Sequence, residues 1–449
     1  MAQKKRDLSN LLLSVLNKHF DGLPLSELVT ANRLFPPTAR PDLQKALEQI
    51  FASDFAAKLY GCHRDYSFQT LTFTDFLVID HHAVTMAPVQ YDEIDVGEPQ
   101  PRRCLRQALW TCRSGDIPFA VVLAVADGHR QEGISLDIAV PGSESAIELS
   151  HKFLEKLEKM VNESGSYRGK VISLEQGSRY SGQAGTVRVH KLRQVERDEV
   201  ILPAKTLQLL ERNVTDFIKQ RKALHKLGMA VKKGLLFYGP PGTGKTHTIH
   251  YLANCLPDHT TLLITAGQVG LLEEYCLLAR FLQPAMVIIE DADLIARDRN
   301  DMNSPCEESL LNKLLNEMDG LREDAEIIFV LTTNRPEQLE SALASRPGRI
   351  DQAIEFPLPD ADGRRKLIRL YARGLPLADE LLETIIKRTE HASPAFIKEL
   401  MRRSAQYYLQ SGAGSQLQDE NVKVALEDML FSGGTLNLKL LGGDLAEAL

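Results

Sequence analysis

The sequence is poor in the features that mark several classes of protein. Its six cysteines are scattered over 449 residues and form no C-x-x-C pair, which argues against a disulfide framework or a zinc site. The longest apolar run, residues 117–126, is about half the length of a membrane span. A net charge of −7 gives no general attraction for DNA or RNA, and no secretory signal pattern opens the chain. We therefore expect a cytoplasmic protein with reduced thiols and no membrane partner.

A phosphate-binding pattern is present at residues 239–246, where GPPGTGKT matches G-x-x-x-x-G-K-[ST]. In such a loop the glycines let backbone N–H groups surround a phosphate, and the lysine adds charge near the β- and γ-phosphates. An apolar run precedes the loop at 234–238, and apolar residues at helical spacing follow it. Strand, loop and helix in this order predict a nucleoside triphosphate site. The residues predicted to contact the nucleotide are Gly239, Pro241, Gly242, Thr243, Gly244, Lys245, Thr246 and His247.

Two carboxylates, Glu290 and Asp291, end an apolar run that begins at residue 284. Beside a phosphate loop, one carboxylate of such a pair can hold Mg²⁺, directly or through water, and the other can orient the attacking water. The predicted metal-binding residues are therefore Thr246, Glu290 and Asp291. A second apolar run ends at Asn334, whose amide could hold the water or the γ-phosphate.

Two arginines, Arg346 and Arg349, follow this second run three residues apart. Across the sheet, neither is expected to reach the nucleotide of its own chain. Arginines supplied by a neighbouring subunit would stabilise charge on the transferring phosphoryl group, and that arrangement predicts a homo-oligomer. The candidate catalytic residues are thus Glu290, Asp291, Asn334, Arg346 and Arg349.

Five segments of the chain occur in the order and spacing of the AAA ATPases, and they resemble the branch of the proteasomal and membrane-protease ATPases. These segments are 239–246, 284–293, 309–320, 332–336 and 346–351. The resemblance covers about residues 200–430. It implies a hexameric ring with ATP at each subunit boundary, held with Mg²⁺ by Lys245 and Thr246. It also implies that Asn334 is the sensor and that Arg346 and Arg349 are the fingers offered to the next subunit.

The chain departs from the family pattern in two places. The family usually has Asp followed by Glu where this chain has Glu290-Asp291. By backbone position Glu290 would face the metal and Asp291 the water, and we expect hydrolysis to survive at a reduced rate; the alternative is a nucleotide-binding switch with little turnover. The segment 267–272 lacks the aromatic residue that polypeptide-threading members carry, and Tyr275 falls where a helix should already have begun. This departure argues against a threading unfoldase of the usual kind and leaves open whether polypeptide is threaded.

The predicted fold class is α/β: a P-loop NTPase parallel sheet with helices on both faces, followed by a small helical lid and preceded by an α+β N-terminal region. The predicted domains are the N-terminal region 1–185, the AAA nucleotide-binding domain 186–358, the lid 359–432 and a tail 433–449.

The N-terminal region carries no chemical motif of its own. Its residues 1–55 are predicted to be helical, those from about 66 to 139 to be strands, and a further helix is predicted from a capping box at Ser145. We expect this region to hold a protein partner that the ATPase remodels. The alternatives are an assembly switch with slow turnover and, disfavoured by the acidic charge, a remodeller of nucleic acid.

Overall fold

The computed structural model describes residues 12–64, 70–78, 83–128, 131–175, 187–293, 310–339, 348–412 and 414–430. Arg346 and the predicted tail 433–449 lie outside these ranges. The chain forms two compact units. The first comprises the described residues up to Arg168 together with Ile172–His190, and the second comprises Gly169–Val171 with the described residues from Lys191 onward. The domain boundaries at 185/186, 358/359 and 432/433 stay predictions.

An antiparallel sheet forms the centre of the first unit. Its strands and those of a separate hairpin are β1 (Leu28–Phe35), β2 (Ala56–His63), β3 (Thr85–Ala87), β4 (Tyr91–Ile94), β5 (Arg102–Leu105), β6 (Gln107–Ser114), β7 (Ile117–Gly128) and β8 (Gln131–Pro141). The sheet order is β1-β8-β7-β6-β2-β3, and β4 pairs with β5. Two short neighbouring strands follow, β9 (Val171–Leu174) and β10 (Val187–His190). The helices of this unit are α1 (Leu12–His19), α2 (Arg40–Ser53) and α3 (Glu144–Glu163).

Helices cover both faces of this antiparallel sheet. Because side chains alternate along a strand, neighbouring residues of β6 point to opposite faces. Leu109 packs in the apolar cluster that contains α1. On the other face the ring of Phe51 in α2 lies 5.0 Å from that of Trp110, and the ring of Phe153 in α3 lies 6.0 Å from that of Phe119, centroid to centroid. The α+β architecture predicted for the N-terminal region is confirmed.

Three local predictions in this unit are wrong. The predicted capping box at Ser145 does not open α3, because this helix begins at Glu144 and its N-cap is Ser143. Residues 28–35, predicted to be helical, form the edge strand β1, which pairs with β8 from Leu28 opposite Pro141. Pairing with a neighbouring strand, rather than local periodicity, decides the conformation of such a segment. Residues 73–77, predicted to be a strand, form a turn of 3₁₀ helix, because a capping box between Thr72 and Asp75 satisfies its first N–H groups.

The second unit is built on five parallel strands that lie side by side in the order β12-β13-β14-β11-β15. Their bounds are β11 (Lys233–Tyr238), β12 (Thr260–Ile264), β13 (Ala285–Ile289), β14 (Ile327–Thr333) and β15 (Gln352–Glu355). The helices of this part are α4 (Ala204–Glu211), α5 (Phe217–Lys226), α6 (Lys245–Cys255), α7 (Leu272–Phe281) and α8 (Leu310–Asp319).

Helices lie on both faces of this parallel sheet. Met286 and Ile288 of β13 pack in one apolar cluster with Leu210 of α4 and Leu252 of α6. The alternate residues of β13 point to the opposite face, where α7 contacts β12 and β13. The predicted α/β fold class is confirmed.

A small helical bundle, the lid, follows the parallel sheet. Its helices are α9 (Ala361–Tyr371), α10 (Asp379–Arg388), α11 (Pro394–Gln410) and α12 (Asp419–Leu430). They share an apolar core that includes Leu382, Phe396 and Met429, all at most 2% exposed. Throughout the described ranges, no helix combines the length and the hydropathy that a membrane crossing requires.

Candidate functional site

The predicted site residues lie at the carboxyl ends of three neighbouring strands, β11, β14 and β13. In the parallel pairing, Tyr238 at the end of β11 lies opposite Thr333 of β14, and Ile289 at the end of β13 lies opposite Leu331. The residues that follow these strand ends therefore meet at one edge of the sheet, which is where open α/β sheets bind ligands. The predicted residues at this edge are Gly239, Glu290, Asp291 and Asn334.

The phosphate loop requires glycine at two positions for different reasons. A Cβ on Gly239 would lie 2.3 Å from the carbonyl oxygen of Phe356, so only glycine lets these two backbones approach so closely. Gly242 has a φ of +74°, a left-handed conformation that L residues rarely adopt. The hydroxyl of Thr243, the residue after Gly242, donates to the carbonyl of Pro240 at 2.8 Å and closes the turn of the loop.

Lys245 is 7% exposed, and its ammonium group donates to the carbonyl oxygens of Gly239 at 2.8 Å and Pro240 at 3.0 Å. Burial lowers the pKa of Lys245 from its ordinary 10.5 to about 8, while the negative charges of Asp291 and Asp293 act in the opposite direction. Among the described residues, this buried ammonium donates only to neutral carbonyls and is not hydrogen-bonded to an anion. The loop therefore suits a polyphosphate.

The two carboxylates have different partners. The Thr246 hydroxyl donates to Oε1 of Glu290 at 2.9 Å, whereas the Asn334 amide donates to Oδ1 of Asp291 at 3.3 Å. Glu290 thus lies beside the threonine predicted to bind metal, and Asp291 lies beside the predicted sensor. Hydroxyl and carboxylate oxygens are the donors that Mg²⁺ prefers, so Thr246 and Glu290 fit this ion.

Three further residues of the site were not identified from the sequence. Asp293, 5% exposed, accepts a hydrogen bond from the hydroxyl of Thr333 at 2.8 Å. The hydroxyl of Thr332 accepts the backbone N–H of Asp291 at 3.1 Å. All three lie at the polar ends of the two apolar runs that end near Asp291 and Asn334. Their roles depend on the register between β13 and β14, which the sequence does not display.

The lid and the segment before α4 both contact the phosphate loop and its helix. The backbone N–H of Ala395, at the start of α11, donates to the carbonyl of Gly242 at 3.1 Å. The imidazole Nε2 of His247 lies 3.3 Å from the carbonyl oxygen of Glu199. Burial lowers the pKa of His247, so its ring is neutral near pH 7. Pro241, also predicted to contact ATP, is exposed on the loop.

Arg349 lies at the opposite end of β11 from the phosphate loop. Its carbonyl oxygen would be 2.0 Å from a Cβ placed on Gly234, the second residue of that strand. At about 3.3 Å per residue, the five residues of strand from Gly234 to Gly239 span roughly 17 Å. The Arg349 side chain is 11% exposed and pairs with Asp319 at the end of α8. In this conformation it is held by its own subunit.

Comparison with known families identifies the second unit. Residues 235–358 match the model of the ATPase family associated with various cellular activities (AAA). This segment carries the phosphate loop, both carboxylates and Asn334 in the geometry described above. The chain contains an AAA ATPase domain. The predicted resemblance to this family is confirmed.

Several relatives of the AAA domain come from its proteasomal and membrane-protease branch. The chain is 32% identical to the ATP-dependent zinc metalloprotease FtsH of Thermus thermophilus over 207 residues, which cover 43% of this chain and 33% of that protein. It is 31% identical to the proteasome-activating nucleotidase of Methanothermobacter thermautotrophicus over 226 residues, 47% of this chain and 53% of that protein. A 26S proteasome regulatory subunit 8 homolog of Encephalitozoon cuniculi is 28% identical over 331 residues, 64% and 83% of the two chains. The chain thus spans about half or less of the first two relatives.

Proposed function

We propose that this protein binds ATP with Mg²⁺ and hydrolyses it between the subunits of a homo-oligomeric, hexameric ring in order to remodel a protein partner held by its N-terminal unit. One observation carries the catalytic part of this proposal. A buried lysine, a threonine–glutamate contact and an aspartate–asparagine contact lie together at the carboxyl edge of the AAA sheet. Each of these three features corresponds to a separate requirement of phosphoryl transfer to water.

The residues of the site divide these requirements between them. The ammonium of Lys245 and the N-terminus of α6 would bind the phosphates, because both offer positive charge to an anion. Thr246 would hold Mg²⁺ with Glu290 beside it, and the ion would neutralise charge on the β- and γ-phosphates. Asp291 would accept a hydrogen bond from the attacking water and orient it for in-line attack on the γ-phosphorus. Asn334 would hold either that water or a γ-phosphate oxygen.

We infer that a residue of another subunit meets part of the charge on the transferring phosphoryl group. By strand length, the backbone of Arg349 is about 17 Å from the phosphate loop of its own chain, so we do not expect it to act there. In a ring, Arg349 and the neighbouring Arg346 would face the next subunit's nucleotide. For Arg349 this requires its release from Asp319, with which it pairs in the single subunit.

Steady-state ATP hydrolysis by the wild type, measured over a range of protein concentrations, tests the proposal. We expect turnover per subunit to rise cooperatively as the ring assembles. Asp291→Asn should bind ATP and assemble but not turn over, and Lys245→Ala should not bind ATP. Wild-type turnover that is the same per subunit at all concentrations would contradict a site shared between subunits.

A second function, an assembly switch with little turnover, is favoured by two observations. The first is the Glu290-Asp291 order. The second is the segment at the start of α7: residues 266–271 form a 3₁₀ helix, and Tyr275 is 0% exposed within α7. Tyr275 therefore cannot serve as a channel aromatic. Slow turnover with assembly that follows bound ATP would support the switch, whereas strong stimulation of turnover by an unfolded protein would support remodelling.

A further inference from the structure

The backbone leaves the strand ladder at Asp291. The N–H of Glu290 still donates to the carbonyl of Ile264 on β12 at 3.0 Å, continuing the sheet by one residue. The next N–H, that of Asp291, turns towards β14 and donates to the side-chain hydroxyl of Thr332 at 3.1 Å. At this point Asp291 adopts a φ of +51°, in the left-handed region.

This left-handed residue explains how two adjacent carboxylates serve one site. In an extended strand, neighbouring side chains point to opposite faces of the sheet. Here the alternation is broken at the second acid. Glu290 therefore reaches Thr246 at 2.9 Å while Asp291 reaches Asn334 at 3.3 Å.

The left-handed conformation at residue 291 also restricts which acidic residue fits there. Left-handed backbone is unfavourable for most L residues, but aspartate and asparagine tolerate it better than glutamate, because their short polar side chains can hydrogen-bond locally. The family's usual order, Asp followed by Glu, would place a glutamate at this left-handed position. The order found in this chain places there the acid that the backbone accepts more readily.

We propose that Thr332 is a positioning residue that holds Asp291 in this left-handed turn, and that the Glu290-Asp291 order is an adaptation to it. This inference rests on the proposed ATP hydrolysis at the same site. Thr332 is 3% exposed on β14 and lies opposite Phe237 of β11, so the sheet fixes its hydroxyl. Without that hydroxyl, the backbone N–H of Asp291 has no hydrogen-bond acceptor on β14. The left-handed conformation of Asp291 then loses the contact that stabilises it.

Kinetics of three Thr332 variants test the positioning role. Thr332→Val keeps the shape and removes the hydroxyl, and we expect kcat to fall about tenfold with ATP affinity within about twofold of the wild type. Thr332→Ser keeps the hydroxyl and should recover most of kcat, while Thr332→Ala should behave like valine. The matched control is Thr260→Val on β12, a buried strand threonine whose hydroxyl donates to the carbonyl of Leu282 at 2.9 Å, away from the site. If Thr260→Val and Thr332→Val lower kcat equally, the loss comes from a general structural effect, and the proposal is overturned.

Exchange of the acid pair tests the second half of the inference. The double variant Glu290→Asp with Asp291→Glu restores the family's order on this backbone. We expect it to hydrolyse ATP more slowly than the wild type, because glutamate fits the left-handed position poorly. A rate equal to or above that of the wild type would show that the order is not matched to the backbone.

Amide hydrogen exchange provides a readout that does not depend on turnover. The Asp291 amide should exchange slowly in the wild type and in Thr332→Ser, and at least about tenfold faster in Thr332→Val. Unchanged exchange in Thr332→Val would overturn the inference whether or not the enzyme is active. Absence of ATP hydrolysis by the wild type, with the exchange pattern as expected, would instead contradict the proposed function and leave the positioning role standing.

Discussion

The buried ammonium of Lys245 predicts that ATP affinity depends on pH in a range where most lysines do not titrate. In the free protein, burial lowers the pKa of Lys245 to about 8. A bound triphosphate places negative charge beside the ammonium and should raise its pKa again towards the ordinary 10.5. Binding above pH 8 therefore requires the lysine to take up a proton, and affinity should fall as pH rises.

The size of the effect follows from the two pKa values. If the pKa of Lys245 is about 8 in the free protein and near 10.5 in the complex, the affinity should fall about 15-fold between pH 8 and pH 9.5. At pH 8.5 about 0.8 proton should be taken up for each ATP bound. The terminal phosphate adds little over this range, because phosphate groups of this kind lose their second proton near pH 6.

Two measurements check these values. A fluorescent ATP analogue gives the affinity at constant ionic strength, and calorimetry in buffers of different ionisation enthalpy gives the proton uptake. Lys245→Arg is the control, because a guanidinium stays charged throughout and should make the weakened affinity independent of pH. If the wild-type affinity is constant from pH 8 to 9.5, or if no proton is taken up at pH 8.5, then burial does not lower the pKa of Lys245 in the free protein and the bound phosphate does not raise it.

Other substitutions test the remaining parts of the second unit. Arg349→Ala should lower turnover at least about a thousandfold while ATP binding stays within twofold, as measured in the assembled protein; normal turnover would exclude a site shared between subunits. Gly242→Ala should weaken ATP binding more than Gly412→Ala does, because both residues have positive φ but only the first would place a Cβ 2.9 Å from Ala395; equal effects would mean that backbone strain alone matters. Phe237→Ala should lower the free energy of unfolding by about 3–5 kcal/mol in denaturant titrations. A loss below about 1 kcal/mol would contradict the role of its 0% exposed ring, 5.1 Å from Phe356, in the core.

The features that can be predicted from the sequence are those encoded by residues close together along the chain. The glycine pattern of the phosphate loop and the apolar runs before Glu290 and Asn334 each carry their meaning within about ten residues, and the structure brings all three to one edge. The strand at 28–35 was missed because its pairing partner, β8, is about a hundred residues away. The left-handed turn at Asp291 was missed for a similar reason, since a hydroxyl on another strand holds it. Contacts that depend on the register between distant segments are not displayed by a single sequence.

The hydrogen bond between Ala395 and Gly242 concerns the start of the lid helix. A helix that begins with Pro394 has no N–H at its first residue, so Ala395 carries the first backbone donor of α11, and this donor is given to the phosphate loop. The loop therefore satisfies a helix end that would otherwise need a side chain or water.

The same contact restricts which residues the lid can accept during evolution. A Cβ on residue 242 would lie 2.9 Å from the Cβ of Ala395, so the two positions share one small volume. A larger residue in the lid at 395 would press on the loop that binds phosphate, although the two are far apart in the sequence. A larger residue at 242 should therefore be tolerated better when residue 395 is glycine, and worse when residue 395 is larger than alanine.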